Sequence, residues 1–230
     1  MMNMPSIAEL FNQIAPKYDF LNHFLSLNID KGWRRKAIRG HITDKMQRVL
    51  DVACGTGDFS IEIVEAGAQN VVGIDIAEKM VEIGVKKVAK RHLQDKIHLQ
   101  TGNCTALPFD DHTFDAATVA FGVRNFEQRI QSLQEIYRVL KTGAPLIILE
   151  FSQPQHFPIK QLYHFYFKKI LPTIGGKISG NKSAYEYLPA SVYAFPQGEE
   201  FLKELANCNF SHLNQKRLSF GIASVYYAQK

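Results

Sequence analysis

The stretch RVLDVACGTGDFS, Arg48 to Ser60, joins an apolar run to a tight pair of glycines. The run from Val49 to Ala53, interrupted by Asp51, has the β-branched, near-continuous apolar character of a parallel strand covered on both faces. Gly55-Thr56-Gly57 follows where such a strand turns into a helix. Glycines let backbone approach a ligand closely, and the first turn of the next helix offers unpaired N–H groups to electron-rich atoms. A glycine pair after a strand also serves as a plain tight connection, so the turn alone names no ligand.

Working outward, short apolar runs alternate with longer helical patterns, which predicts βα units and a mostly parallel sheet. Strands are expected at Val49–Ala53, Val71–Asp75, Ile97–Thr101, Ala116–Phe121 and Leu146–Phe151, and helices at Phe59–Ala66, Ala77–Arg91 and Ile130–Leu140. The last of these ends at Lys141-Thr142-Gly143, where a basic residue and a glycine suit a helix C-terminus. Beyond it, Glu199–Ala206 reads as helix, and Phe210–Leu218 and Ile222–Ala228 are close enough for an antiparallel hairpin. The fold class is therefore α/β, a doubly wound, mostly parallel sheet of seven strands with an antiparallel C-terminal hairpin. One domain is expected over 1–230, divided into a helical cover (1–44), a ligand-binding core (45–154), a helical insertion (155–196) and a terminal helix with hairpin (197–230).

The bulk composition sets outer limits. With 230 residues, 46% hydrophobic and 21% charged, the chain has the make-up of a soluble globular domain. Cys54, Cys104 and Cys208 lack paired spacing and MMNMPSIAEL lacks a secretory pattern, so the expectation is a cytoplasmic protein with no disulfide framework. No run approaches the ~18 apolar residues of a membrane span. The net charge of +5, from 27 basic and 22 acidic side chains, permits a phosphate-rich partner without requiring one. Eight scattered histidines without ligand spacing predict no metal site.

Two acids sharpen the reading of the glycine turn. Asp75 closes the second strand in GIDIAEKM, where a carboxylate at a strand end accepts hydrogen bonds from both ribose hydroxyls of an adenosine. Asp51 lies just before the glycines, and Ser60 replaces the third glycine of the dinucleotide fingerprint, so a pyrophosphate fits poorly. A carboxylate beneath the loop favours an ammonium group, as in the methionine part of S-adenosylmethionine. Asp51 capping a buried backbone group is the plainer alternative.

DVACGTGD, GIDIAEKM, GNCTALPFDDHTFD and RVLKTGAPLIILEF, in that order, look like the class I S-adenosylmethionine-dependent methyltransferases, whose sheet is Rossmann-like. FGVRNF (Phe121–Phe126), LEFSQP (Leu149–Pro154), YDFLNHFLS with WRR, and YEYLPASVYAFP more specifically resemble the quinone-biosynthesis C-methyltransferases. That resemblance covers nearly the whole chain and implies methylation of demethylmenaquinol or of the polyprenyl-benzoquinol precursor of ubiquinone, the first being the leading assignment. Members often have glycine, histidine and serine where this chain has Asn28, Asp30 and Ala120. The resemblance assigns Thr56 to the glycine-loop contact with the cofactor, beside Gly55 and Gly57 read above, Asp75 to the ribose, and Asn103 and Cys104 to the adenine neighbourhood. Asn103 otherwise reads as a turn cap, and Cys104 as a small apolar pocket residue.

Methylating a ring carbon requires a quinol whose hydroxyl has lost its proton, and general-base or electrostatic help with that step is typically worth 10²–10⁴-fold. FGVRNF follows the fourth strand, at the carboxyl edge where ligands of open α/β folds collect. Arg124 there is a permanently charged donor suited to a phenolate or to a water that takes the proton, with Asn125 in support. Its alternative role is a salt bridge that fixes the loop. In the N-terminal segment Tyr18 and Asn22 are candidates to cover the quinol and Asp19 a candidate base, although YDFLN also suits a packed helix edge. The insertion interleaves aromatics with Lys168, Lys169, Lys177 and Lys182, a composition that suits a prenyl-tail pocket, a peripheral lipid contact or a solvated helical cover. Two other classes stay open. A nucleic-acid methyltransferase lacks an RNA-binding module here, so no nucleic-acid partner is expected, and a non-catalytic scaffold would not need the intact acid and glycine positions.

Overall fold

The structure, a computed structural model, describes residues 6–26, 28–167 and 182–230. Its centre is a seven-stranded sheet in the order β3-β2-β1-β4-β5-β7-β6. The strands are β1 (Val49–Val52), β2 (Val71–Asp75), β3 (Ile97–Thr101), β4 (Ala116–Ala120), β5 (Pro145–Phe151), β6 (Ser211–Leu218) and β7 (Ala223–Gln229). The first five are parallel, Leu50 standing beside Val72 on one side and Ala117 on the other, and β7 runs antiparallel to both β5 and β6. All four residues of β1 are buried, as its apolar run predicts for a central strand with helices on both faces. On the outer edge β6 is polar and largely exposed, and its Lys216 and Arg217 make the free edge a poor template for further pairing.

Helices α3 (Asp58–Glu65), α4 (Glu78–Lys90) and α5 (Arg129–Val139) follow β1, β2 and β4, and α8 (Glu199–Asn207) precedes β6. They complete two cores, one on each face of the sheet. One contains Leu50, Val72, Phe114, Leu133 and Phe201, the other Trp33, Ile63, Val71, Ile147 and Leu149. The expected element order is present throughout, with differences of a residue or two at the ends. The most informative differences are at β1 and β4, which each stop one residue short of expectation. Ala53 (φ +55°) and Phe121 (φ +57°) there enter the left-handed region, which costs a residue with a Cβ energy and is concentrated at functional sites. These neighbouring strands thus turn away together at their carboxyl ends and open a crevice between them.

Two further helices, α1 (Ile7–Leu25) and α2 (Ile29–Ile38), lie across that end. Leu10, Ile14 and Ala15 of α1 pack with Ala77 and Met80 of the β2–α4 junction. Trp33 of α2 meets the rings of Phe121 and Phe151 and donates from Nε1 to Ser219 Oγ at 2.8 Å. In the insertion stand α6 (Ile159–Phe165) and α7 (Lys182–Ala194). Of the four lysines singled out in the sequence, Lys168, Lys169 and Lys177 lie outside the described residues, as does the side chain of Lys182.

Candidate active site

The glycine turn takes its shape from left-handed backbone at Gly55 (φ +54°) and Gly57 (φ +78°). At Gly57 a Cβ would also meet Leu99 Cδ1 at 2.9 Å, so glycine is required there for space as well as conformation. Asp75 ties the turn to β2. One carboxylate oxygen accepts the Gly55 N–H at 2.8 Å and the other the Ala77 N–H at 2.8 Å, each leaving lone-pair capacity. Burial pushes the Asp75 carboxyl above its ordinary range, against the pull of those backbone donors.

A cavity of about 290 Å³ opens at this turn, bounded by Gly55, Asp75, Asn103, Cys104, Phe121 and Asn125 among others. Asn103 Oδ1 accepts the Thr105 N–H at 3.0 Å, which folds the β3 loop into the wall. The Cys104 thiol lies 3.2 Å from Ser132 Oγ, and burial raises its pKa, so it stays a neutral lining group. The set fits S-adenosylmethionine: Asp75 has acceptor capacity for ribose hydroxyls, and Ile74, Ile76 and Met80 give apolar surface for a base.

Asp51 stands apart from the cavity wall. Only 1% exposed, it accepts hydrogen bonds from Ser60 Oγ at 2.6 Å and Thr118 Oγ1 at 2.9 Å beneath the turn. Burial pushes its carboxyl up to about 6, the two hydroxyls opposing the shift. Its effect on a cation in the cavity is therefore that of a charge under the floor, without direct contact.

Thr56 is likewise buried, and its hydroxyl faces the helical cover instead of the cavity. It donates to Asp19 Oδ1, while Lys87 Nζ donates to Thr56 Oγ1 at 3.0 Å and sits 2.5 Å from Asp19 Oδ2 and 2.7 Å from Asp58 Oδ1. Asp19 thus joins α1 to the glycine turn and lines neither this cavity nor the next. The network continues through His23, whose Nδ1 is 2.9 Å from Asp30 Oδ2 and whose Nε2 is 3.2 Å from Asp58 Oδ2. This clasp has no local signal in the sequence. Its partners are far apart in the chain, and single charged residues on helices are the ordinary solvated kind.

A second cavity lies beyond the first, between α1, α2, the turn after β4 and α7. Phe11, Tyr18 and Phe121 line both. The Phe121–Phe126 turn divides its residues between them, Asn125 facing the first and Arg124 the second. Arg124 is firmly held: Nη1 donates to Glu150 Oε1 at 2.7 Å and to the Phe121 carbonyl, and Nε donates to Ser191 Oγ at 3.3 Å. Asn125 Oδ1 accepts the Tyr187 hydroxyl at 2.9 Å. Glu150 was not singled out from the sequence, yet it carries the same signal as Asp51, a lone acid within an apolar strand (PLIILEF). Asn22 belongs to α1, and its side chain is outside the described residues. Among the described residues no group of three or more His, Cys, Asp or Glu could hold a metal ion.

Comparison with solved structures places the fold. The [4+2]-cyclase SpnF superposes with a TM-score of 0.73 at 15% identity, over 100% of this chain and 99% of that one. An S-adenosylmethionine-dependent methyltransferase from Aquifex aeolicus gives 0.59 at 19% identity, over 85% and 88%. Sequence relatives are much nearer. A demethylmenaquinone methyltransferase of Bacteroides fragilis is 47% identical over 225 residues, 97% of this chain and 92% of its own length. The ubiquinone/menaquinone biosynthesis C-methyltransferase UbiE of Geotalea daltonii is 46% identical over 226 residues, 97% and 96% of the two chains. The glycine turn, the strand-end Asp75 and the two adjoining cavities thus belong to a methyltransferase, and with residues 2–230 matched, this chain is a member of the ubiE/COQ5 methyltransferase family.

Proposed function

We propose that this enzyme transfers a methyl group from S-adenosylmethionine to a ring carbon of a polyprenylated quinol, with demethylmenaquinol as its acceptor. One observation carries the reading: an aromatic-walled second cavity adjoins the cofactor cavity across Phe11, Tyr18 and Phe121. The near relatives named as demethylmenaquinone methyltransferases support the naphthoquinol ring. Those named for both ubiquinone and menaquinone biosynthesis support a benzoquinol as the second reading.

Bound S-adenosylmethionine supplies an electrophilic methyl group on a sulfonium. The chain's own residues do the rest. Asp75 holds the ribose, Gly55 and Gly57 bring backbone close, Asn103 and Cys104 bound the base, and Asp51 adds negative charge below the methionine ammonium. Thr56 and Asp19 act together as the strap that holds α1 over the turn. Tyr18 and Phe121 sit where the methyl must cross, excluding water between the two ligands. Arg124 and Asn125 orient the quinol at this boundary, and the charge on Arg124 favours the ring hydroxyl's loss of its proton.

A long prenyl chain keeps such a substrate in lipid, at about 0.8 kcal/mol per buried CH₂. No helix among the described residues is long and apolar enough to cross a membrane. The enzyme meets its substrate at the surface through α6, where Leu162 and Phe165 are exposed three residues apart beside exposed Phe157. The test of the function is transfer of labelled methyl to a reduced, prenylated naphthoquinol. Transfer to neither quinol class contradicts the proposal.

A further inference from the structure

A groove of about 760 Å³ lies between the end of α2 and β6 and shares no lining residue with either ligand cavity. Four exposed cations border it, Lys36 and Arg39 at the α2 end and Lys216 and Arg217 on β6. Among the described residues none of the four has an ion-pair partner, whereas Arg35, beside Lys36 on α2, holds Glu62 at 2.7 Å. The flanking elements explain the imbalance. β6 (SHLNQKRL) carries no acid, and the one acid of α2, Asp30, is engaged by Arg34, His23 and Ser26. Arg217 Nη1 donates to the neutral Gln155 Oε1 at 2.6 Å, which fixes the guanidinium and leaves its charge uncompensated. Also in the groove, Tyr227 stacks on His41 at 4.2 Å and donates to the Ala37 carbonyl at 3.1 Å. Burial, with Lys216 close by, pushes His41 below its ordinary value, so the positive charge comes from the lysines and arginines.

The groove ends at an exposed ring. Ser219 lines it, and the next residue, Phe220, is 81% exposed with its backbone in the left-handed region (φ +58°), which costs a residue with a Cβ energy. A ring held out in water at such a position gains nothing for the fold. Its turn is fixed at both ends, Trp33 Nε1 donating to Ser219 Oγ at 2.8 Å and Ser152 Oγ to the Gly221 carbonyl at 2.7 Å. Trp33 also meets Phe121 and Phe151, which line the second cavity, so one helix joins the groove to the proposed quinol site. A cationic groove beside a protruding aromatic complements the boundary of an anionic bilayer, where phosphates meet the cations and the ring enters the acyl region. A lipid surface accounts for the charge, the ring and a substrate that resides in lipid, and is preferred on that ground to a nucleic acid.

We infer that the groove between α2 and β6, together with Phe220, is a docking surface for anionic phospholipid. The inference rests on the quinol reading above for its lipid-borne substrate, and it adds a charge-selective contact to the apolar one of α6.

The experiment measures partition of the full chain onto vesicles of phosphatidylcholine alone and of phosphatidylcholine mixed with phosphatidylglycerol, with circular dichroism to show that each variant is folded. Lys36→Ala combined with Lys216→Ala should lower partition onto the anionic vesicles about tenfold or more and leave the neutral vesicles unchanged. Phe220→Asn, which tolerates left-handed backbone, should lower partition onto both. Added salt should weaken wild type on anionic vesicles more than it weakens the double variant. Equal partition of wild type and double variant onto anionic vesicles overturns the inference. So does a double variant that loses binding to RNA while keeping its anionic vesicles, which would assign the groove to nucleic acid. Partition is read without turnover, so a wild type that docks through the groove and methylates no quinol would remove the functional reading and leave the surface standing.

Discussion

Arg124 and Glu150 form an ion pair at 2.7 Å with side chains 6% and 0% exposed, and the Glu150 carboxylate also accepts the backbone N–H of Arg124 at 3.2 Å and of Phe151 at 2.8 Å. The pair ties the turn after β4 to the end of β5, so the boundary between the two cavities is set by one buried carboxylate. Removing either partner leaves the other charge buried and unpaired. Arg124→Ala and Glu150→Ala are each expected to destabilise the fold by about 3–5 kcal/mol. The double variant should lose less than the sum, and denaturant unfolding of all four proteins checks it. Additive losses would mean that the two side chains act independently.

Asp75→Ala should weaken S-adenosylmethionine binding by about 1.5–3 kcal/mol, the range for hydrogen bonds to a charged group. The same change removes the acceptor for the Gly55 and Ala77 N–H groups, so circular dichroism should accompany the calorimetry. Unchanged affinity with an intact fold would place the ribose contact elsewhere.

For Asp51 the pH dependence has a definite sign. Its folded carboxyl is raised to about 6 from an ordinary value of 3.8, so between those values the native state holds the proton more strongly than the unfolded chain. This contribution to stability is fully present below pH 3.8 and is lost as pH rises through 6, a total of about 3 kcal/mol at ~1.4 kcal/mol per pH unit. Asp51→Asn, which cannot ionise, should lack it. The stability difference, variant minus wild type, should grow in the variant's favour from pH 4 to pH 7 in parallel urea titrations, and a flat difference contradicts the assignment.

Much of this arrangement was legible in the sequence because each signal was local. Parallel strands buried on both faces show as unbroken apolar runs, the turn shows as paired glycines, and Asp75 shows as an acid closing a strand. The clasp was not legible, because Asp19, Thr56, Asp58 and Lys87 meet only after α1 has folded back across the turn. Nothing local in WRR distinguishes Arg34, which meets Asp30 and Asp58 beside the second cavity, from a guanidinium on a solvated helix face. For Arg124 the sequence leaves open a role on the quinol and a loop-fixing salt bridge; the ion pair to Glu150 gives it the second, and it also borders the second cavity.

Asp19 gives a direct comparison between strap and base. Asp19→Asn keeps an acceptor for the Thr56 hydroxyl but loses the ion pair to Lys87. Loss of a general base costs about 10²–10⁴-fold in turnover, whereas loss of a strap should lower turnover by less than about tenfold while loosening the cofactor. Steady-state kinetics with calorimetry separates the two.

Membrane contact through α6 is tested by sedimentation with anionic and neutral vesicles. Wild type should bind reversibly, and Leu162→Ser combined with Phe165→Ser, which removes two exposed apolar side chains from one helix face, should reduce binding on both vesicle types. Equal sedimentation of the two proteins would exclude α6 as the contact.

Methyl transfer to the quinol is tested by incubating the protein with methyl-labelled S-adenosylmethionine and, in separate anaerobic reactions, a reduced prenylated naphthoquinol, a reduced prenylated benzoquinol, and RNA. Label is expected on a ring carbon of the naphthoquinol, at a rate exceeding that on the benzoquinol, and none on RNA. Label on RNA, or on neither quinol while the cofactor binds, would contradict it.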